Sequence, residues 1–333
     1  MNIKKLLCFL LTVATVTIIL SSCSKNNADL AIQFVKLNKS IDVEDFLFLD
    51  SLNGFLCGGV VLEEGCIYKT SDGGETWDLQ FECTDKLRKL YMDDSSNIYA
   101  VGDSLCIIKS TDFGNTWQHS FTAAAQSFWF WDRSNLRGLC KAPWGELIAV
   151  GRKQSSFGLI YHDGKENDYL TPLQVGFSMN DIIVHNNEVV VAGYGALFTV
   201  DSLFEFDYLP INDDNFVDLF AIDNSIYACG YNGGIYKIED GDYLSQKKVN
   251  KIVSFSREHF LSICFADTMN GICCGERGVV YATSDGGNAW KSIELADKQS
   301  LRSVVSANSY FLIGSENGII YRYPVKNVSL LLE

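Results

Sequence analysis

Histidine is scarce in this chain. Only four stand among the 333 residues, at 119, 162, 185 and 259, and no two are spaced H-x-x-x-H or H-x-H. No two of the eleven cysteines are spaced C-x-x-C either. These absences leave a zinc site or a dithiol redox motif unsupported, so no metal and no other cofactor is implied. Positive charge is also short: 27 Lys and Arg against 41 Asp and Glu give a net charge of −14. A molecule so acidic is a poor ligand for nucleic acid or anionic lipid headgroups, although a local basic patch is not excluded. Prolines number four, and there is no long charge run or low-complexity tract. What is left is a globular chain with 47% hydrophobic residues, enough for a sizeable core.

The one long apolar run is at the start. Lys4 and Lys5 precede an apolar stretch from Leu6 to Leu20, and Leu20-Ser21-Ser22-Cys23 follows. That order is the layout of an export signal, and the stretch is shorter than the ~20 residues a spanning helix needs. The "LSSC" ending resembles the lipobox of bacterial lipoproteins. The resemblance implies a signal peptide over 1–22, lipidation of Cys23, a tether over 23–30, and membrane contact by the lipid anchor alone. The alternative is an ordinary secretory signal that happens to end in Cys. Ser24, where sorting to the inner membrane favours Asp, implies the bacterial cell envelope and an outer-membrane location. Loss of Lys4 and Lys5 with the signal would take the charge from −14 to −16. Nine cysteines would then remain besides Cys23, an odd number that leaves at least one thiol unpaired.

The rest of the chain repeats itself. An apolar triplet closed by glycine recurs at Gly58, Gly102, Gly151, Gly193, Gly230, Gly275 and Gly314, in steps of 44, 49, 42, 37, 45 and 39 residues. Around each glycine lie short β-branched and aromatic runs broken by Asp, Ser, Asn or Gly, such as "LRKLYMD", "NIYAVG", "LCIIKS" and "TWQHSF". A period near 40–45 with four short strands per unit predicts an all-β fold, a seven-bladed β-propeller of four-stranded antiparallel blades. Seven blades are expected over about 42–325, in one domain spanning 31–333. "AIQFVKL" (31–37) and "NVSLLL" (327–332) are both strand-like, and one or both should close the ring.

One nine-residue phrase is written three times: "KTSDGGETW" (69–77), "KSTDFGNTW" (109–117) and "ATSDGGNAW" (282–290). The shared positions are Thr70, Asp72, Gly74, Thr76 and Trp77; Ser110, Asp112, Gly114, Thr116 and Trp117; and Thr283, Asp285, Gly287 and Trp290, with Ala289 in place of the Thr. The phrase resembles the Asp-box, or BNR repeat, of sialidase-type propellers. That resemblance implies a structural hairpin between the third and fourth strands, with hydroxyl and carboxylate holding the turn and the Trp packed on the blade. The longer stretches 48–77 and 265–290 resemble the photosystem II assembly factor type of propeller. This implies the same fold and a general assembly or binding role, not a photosystem.

Several tempting motifs dissolve in the register. "GDSL" (102–105) matches a lipase block with Ser104 as nucleophile, but it falls in a turn between strands and no D-x-x-H follows. Cys57, Cys229 and Cys274 occupy the place before the register glycine, where Val, Ala or Ile stand in other units, so a buried apolar role is expected. Residues 122–133, "TAAAQSFWFWDR", lengthen one link; their Trp129 and Trp131 are candidates for stacking on a partner, or for capping the core. Arg88, Arg137 and Arg302 each follow a Leu at the start of a first strand, with Glu44, Asn180 and Val217 in the equivalent place elsewhere. First strands line a propeller's channel, so Arg302, Glu44, Arg88 and Arg137 should form an arc at its mouth able to grip a carboxylate, or pair locally with acids. Two functions follow: a non-catalytic module binding an envelope protein or glycan at the upper funnel face, or a sialidase-type glycoside hydrolase. The second needs carboxylates and an arginine cluster in fixed roles. The R-I-P block of sialidases is missing, and no Tyr–Glu nucleophile pair can be assigned.

Overall fold

The computed structural model describes residues 32–121, 134–153, 157–162, 173–208, 214–239, 248–254, 258–295 and 297–330. Cys23, Trp129 and Trp131 lie outside them. The chain divides into two units, Met1–Ala31 and Ile32–Glu333, and all described residues belong to the second.

Every sheet is four-stranded and antiparallel. Six blades are built whole from consecutive strands, over 42–83, 87–121, 134–175, 179–208, 216–254 and 260–292. The last sheet is composite. Leu301–Ala307, Tyr310–Ser315 and Ile319–Pro324 supply three strands, and Gln33–Lys36 adds the fourth by pairing with Ile319–Pro324. Residues 42–325 therefore hold six complete blades and three strands of a further sheet, not seven blades; the missing strand comes from the other end of the chain. The expected strand at 327–332 is corrected too. Val325–Leu330 is a short helix, because Gln33–Lys36 already occupies the edge it would have joined. Its Val328 is fully buried against the last sheet.

The innermost strands are Asp42–Phe48, Leu87–Met92, Ser134–Lys141, Met179–His185, Phe216–Ile222, Phe260–Phe265 and Leu301–Ala307. Each touches the next, and Leu301–Ala307 returns to Asp42–Phe48, so the cycle is closed. Apolar residues of facing sheets fill the seams between blades, as where Phe55, Cys57 and Ile67 pack against Leu90, Ala100 and Ile108. The repeated glycine has a steric cause. A Cβ on Gly58, Gly102, Gly151 or Gly275 would sit about 2 Å from the carbonyl oxygen of Asp42, Lys86, Asn135 or His259 respectively. The second strand approaches the first so closely there that no side chain fits.

Beside that contact every innermost strand carries a bulge. The register skips Glu44, Arg88, Arg137, Asn180, Val217, Leu261 and Arg302. A bulge re-aims its residue out of the pleat, and the fold uses the same device in every sheet.

Candidate functional site: the channel and its arginine arc

The bulged residues and five of those that follow them face the channel. One pocket of about 110 Å³ is lined by all seven bulged residues together with Asp45, Lys89, Asp181, Asp218 and Ser262. Arg88, Arg137, Arg302 and Glu44 thus lie in one pocket, and two rings are stacked in it. The first ring is charged on one side, with Arg302, Glu44, Arg88 and Arg137, and neutral on the other, with Asn180, Val217 and Leu261.

The arginines of the first ring are not equivalent. The Arg88 guanidinium forks onto Asp103, with Nε 2.6 Å from Oδ1 and Nη2 3.0 Å from Oδ2, and Nη1 reaches Glu44 Oε2 at 3.5 Å. Arg302 Nη2 donates to Glu316 Oε1 at 2.7 Å and lies 3.8 Å from Asp42 Oδ2. Glu44 also receives the almost fully buried Lys86, whose Nζ is 2.6 Å from Glu44 Oε1 and from Asp42 Oδ2. Burial works to raise the Glu44 pKa, but the Lys86, Arg88 and Arg302 cations outweigh it and hold the carboxyl at about 2. Burial likewise works against Arg88 and Arg302, and their acids raise both above the ordinary value.

Arg137 is different. Its Nε donates to Asn135 Oδ1 at 2.9 Å, and no described carboxylate pairs with it. Arg152, directly after the register glycine Gly151, has no described carboxylate partner either. Burial, then Arg152, then Arg88, push the Arg137 pKa down to about 9, and burial followed by Arg88 lowers Arg152. Two half-buried guanidiniums therefore influence each other with no carboxylate paired to either among the described residues, in a molecule with a large excess of acid. Each offers donors in the planar fork that a carboxylate fits.

The second ring is acidic around one lysine. Lys89 Nζ lies 3.2 Å from Asp181 Oδ1 and 3.6 Å from Asp218 Oδ1. Burial raises Asp45 to about 6 and Asp181 to about 7, although Lys89 opposes both. Lys89 itself is raised because Asp181, Asp45 and Asp218 outweigh its burial. These carboxylates also fasten blades. Asp45 Oδ2 accepts the Leu90 amide at 2.8 Å, Asp181 Oδ2 that of Leu219 at 3.0 Å, and Asp218 Oδ2 that of Ile263 at 2.8 Å. In each case the acceptor is on one blade and the amide on the next.

Among the described residues, Glu64, Cys66 and Glu82 bring three potential metal ligands together, but the Lys39 ammonium pairs with both carboxylates. A cation already of the protein's own making holds that place. Ser104 sits in a turn, and neighbouring Asp103 holds Arg88. Cys57, Cys229 and Cys274 are fully buried.

The three phrases form the same turn, each between a third and a fourth strand. Thr70 Oγ1 donates to Asp72 Oδ1 at 2.8 Å and accepts the Gly74 amide at 2.9 Å; Asp72 Oδ1 accepts the amides of Glu75 and Thr76, both at 2.9 Å. Ser110 with Asp112, and Thr283 with Asp285, repeat the pattern. None of their residues lines the channel pocket.

Sequence reasoning missed Arg152, Lys89 and the three aspartates. Arg152 was visible in the register, since it follows Gly151 as Asp103 follows Gly102. The second ring is one residue further along the strands already singled out.

No family model matches the chain, and no curated protein matches it. Solved structures do. YCF48 bound to D1 peptide aligns with a TM-score of 0.64 at 15% identity, covering 88% of this chain and 94% of that one. YCF48 from Cyanidioschyzon merolae aligns at 0.65 and 16%, covering 89% and 99%. A virginiamycin B lyase from Staphylococcus aureus, catalytically inactive and with quinupristin, aligns at 0.69 and 11%, covering 89% and 99%. A peptide-bound protein and a lyase align equally well, so the likeness shows the propeller fold and no shared activity.

Proposed function

We propose that this protein is a non-catalytic binding module, an assembly-type scaffold carried at the bacterial envelope by a lipidated Cys23. Its channel mouth receives a carboxylate of a protein partner. The observation that carries the reading is Arg137: half-buried in the channel beside Arg152, with no described counterion. The size of the pocket favours a chain end or one acidic side chain. About 110 Å³ is well below the roughly 300–1,000 Å³ of small-molecule sites, and a sugar ring needs more room than a carboxylate. The neutral side of the ring, Asn180, Val217 and Leu261, would take an apolar neighbour of that carboxylate. The peptide bound to YCF48 supports a protein partner over a glycan, and the repeated phrase supports membership of the Asp-box group of propellers.

The test is a peptide library displayed twice, once with free C-terminal carboxylates and once amidated, probed with the soluble domain beginning at residue 24. Sequences retained only in the free-acid form, and competed by a soluble free-acid peptide, are expected. Equal retention of both forms by peptides that contain no Asp or Glu would remove the carboxylate from the reading.

A further inference from the structure

Asn180 sits at the bulge of Met179–His185, in the place that Arg137 holds on the neighbouring innermost strand, Ser134–Lys141. The two strands press together just beyond that point. A Cβ on Gly138 would lie 3.0 Å from Asp181 Cα and 2.8 Å from the Ile182 amide nitrogen. Arg137 and Asn180 are therefore side by side, and both line the channel pocket. Asn180 is only 8% exposed, and its side-chain amide is held one way round. Nδ2 donates to Asn215 Oδ1 at 3.0 Å and to the Phe216 carbonyl at 2.7 Å. That carbonyl can only accept, so the group facing it must be the NH2. Both N–H bonds are thereby used on the fifth blade. Oδ1, on the other side of the amide, receives no hydrogen bond from any described group. Ser262, the other neutral polar group of the pocket, is satisfied: its Oγ donates to Asp218 Oδ2 at 2.8 Å and accepts the Val304 amide at 3.2 Å. Arg137 uses its Nε on Asn135, which leaves the Nη1 and Nη2 end of its fork. The third blade thus offers a pair of N–H donors, and the fourth blade offers a bare carbonyl beside them.

We propose that Asn180 accepts the last amide N–H of the partner's chain, so that the channel mouth takes a C-terminal residue rather than an acidic side chain. This rests on the carboxylate-binding reading above and narrows it. A C-terminal residue carries its carboxylate carbon and its amide nitrogen on one Cα, about 2.5 Å apart. The carboxylate lies on Arg137 Nη1 and Nη2, and the N–H beside it donates to Asn180 Oδ1. The carboxylate of an Asp or Glu side chain stands on a methylene group with no donor next to it. It would satisfy Arg137 but leave Asn180 Oδ1 dry and unpaired. A buried acceptor left unmet costs more than an average hydrogen bond contributes, so the mismatch counts against the side chain.

Three acetylated peptides of one sequence, free of Asp and Glu and drawn from the free-acid library, are the probes. One is the free acid. The second is its depsipeptide, with an ester oxygen in place of the last amide N–H, and the third is its C-terminal amide. Calorimetric titration of the folded protein should show the depsipeptide bound about tenfold or more weakly than the free acid. Asn180→Val, which installs the residue that the fifth blade carries at this place, should bind those two peptides with affinities within about twofold of each other, because a valine has no acceptor to leave unmet. The wild-type comparison stands by itself should that variant fail to fold. Free acid and depsipeptide bound alike by wild type, or a preference that survives Asn180→Val, would overturn the proposal and leave the carboxylate reading intact. Equal binding of the free acid and the C-terminal amide, or no binding of any of the three, would instead overturn the carboxylate reading and this proposal with it.

Discussion

At the scale of the residue, the arginines separate by what faces them. Arg88 is clamped by Asp103 and Glu44. Its replacement by Ala leaves half-buried Asp103 without its cation and removes one of the cations that hold Glu44, and a loss of about 3–5 kcal/mol is expected in chemical denaturation. Arg137 has no such acid to strand, so Arg137→Gln should leave the denaturation midpoint within experimental scatter of wild type. A pairing of arginine with local acid was foreseeable at Arg88 and Arg302, because acids crowd the first strands. That Arg137 would escape it was legible only in the register, where Arg152 stands in the third blade in the place that Asp103 takes in the second. The second ring sets the pH response. Asp45 and Asp181 have folded pKa values of about 6 and about 7, above the ~3.9 of a solvated Asp. The folded state therefore holds protons that the unfolded chain releases, and stability from these two groups is full below about pH 4 and lost as pH rises toward 7. Glu44, held at about 2, works the other way: its contribution is present above its ordinary value and lost as pH falls toward 2. Stability against pH should show a decline between about 4 and 7 that Asp181→Asn flattens. A wild-type curve that rises through that window would contradict the raised values.

At the scale of the element, the repeated turn is a gasket between blades as well as a hairpin. Gly114 has φ 75°, and a Cβ there would lie 2.2 Å from Phe55 Cζ on the preceding blade. Gly74 stands in the same relation to Leu312 and Gly287 to Tyr227, at 2.7 and 3.2 Å. The tryptophan completes the seal: Trp117 meets Phe55 edge-on at 5.7 Å, and its Nε1 donates to the Gly114 carbonyl at 3.2 Å. Gly145, by contrast, has φ 99° and open space around its missing Cβ. Gly114→Ala should therefore cost the strain of a left-handed residue plus overpacking, about 2–4 kcal/mol, and Gly145→Ala only the strain, about 1 kcal/mol. Equal losses in thermal denaturation would mean that the contact with Phe55 carries nothing. The turn was legible in the sequence because its hydroxyl, carboxylate and glycine recur at fixed spacing. Its neighbour was not, because Phe55 lies about 60 positions earlier and on another blade, a proximity that only the ring creates.

At the scale of the molecule, the ring is closed by pairing the first described strand with the last. Gln33–Lys36 covers the outer edge of Ile319–Pro324 through four residue pairs. A chain begun after residue 36 would expose that edge, so it should melt earlier and associate, with a dimer or larger species by light scattering; an unchanged monomer would show that the closing strand is dispensable. The period of the glycines revealed the propeller, and the short β-branched and aromatic runs around them revealed its strands. The helix at Val325–Leu330 was not legible, because six apolar-rich residues suit a buried helix as well as a strand. Net charge bears on the site itself. The chain is strongly acidic, so an anionic ligand is repelled at a distance and held only at contact. Salt screens the distant repulsion more than a half-buried pair. The most direct measurement is the fluorescence anisotropy of a labelled peptide with a free C-terminal carboxylate, taken with wild type and Arg137→Gln at low and at physiological salt. The account predicts binding that survives the added salt, and a loss of tenfold or more in Arg137→Gln at an unchanged melting temperature. Equal affinity of the two proteins for that peptide would contradict it.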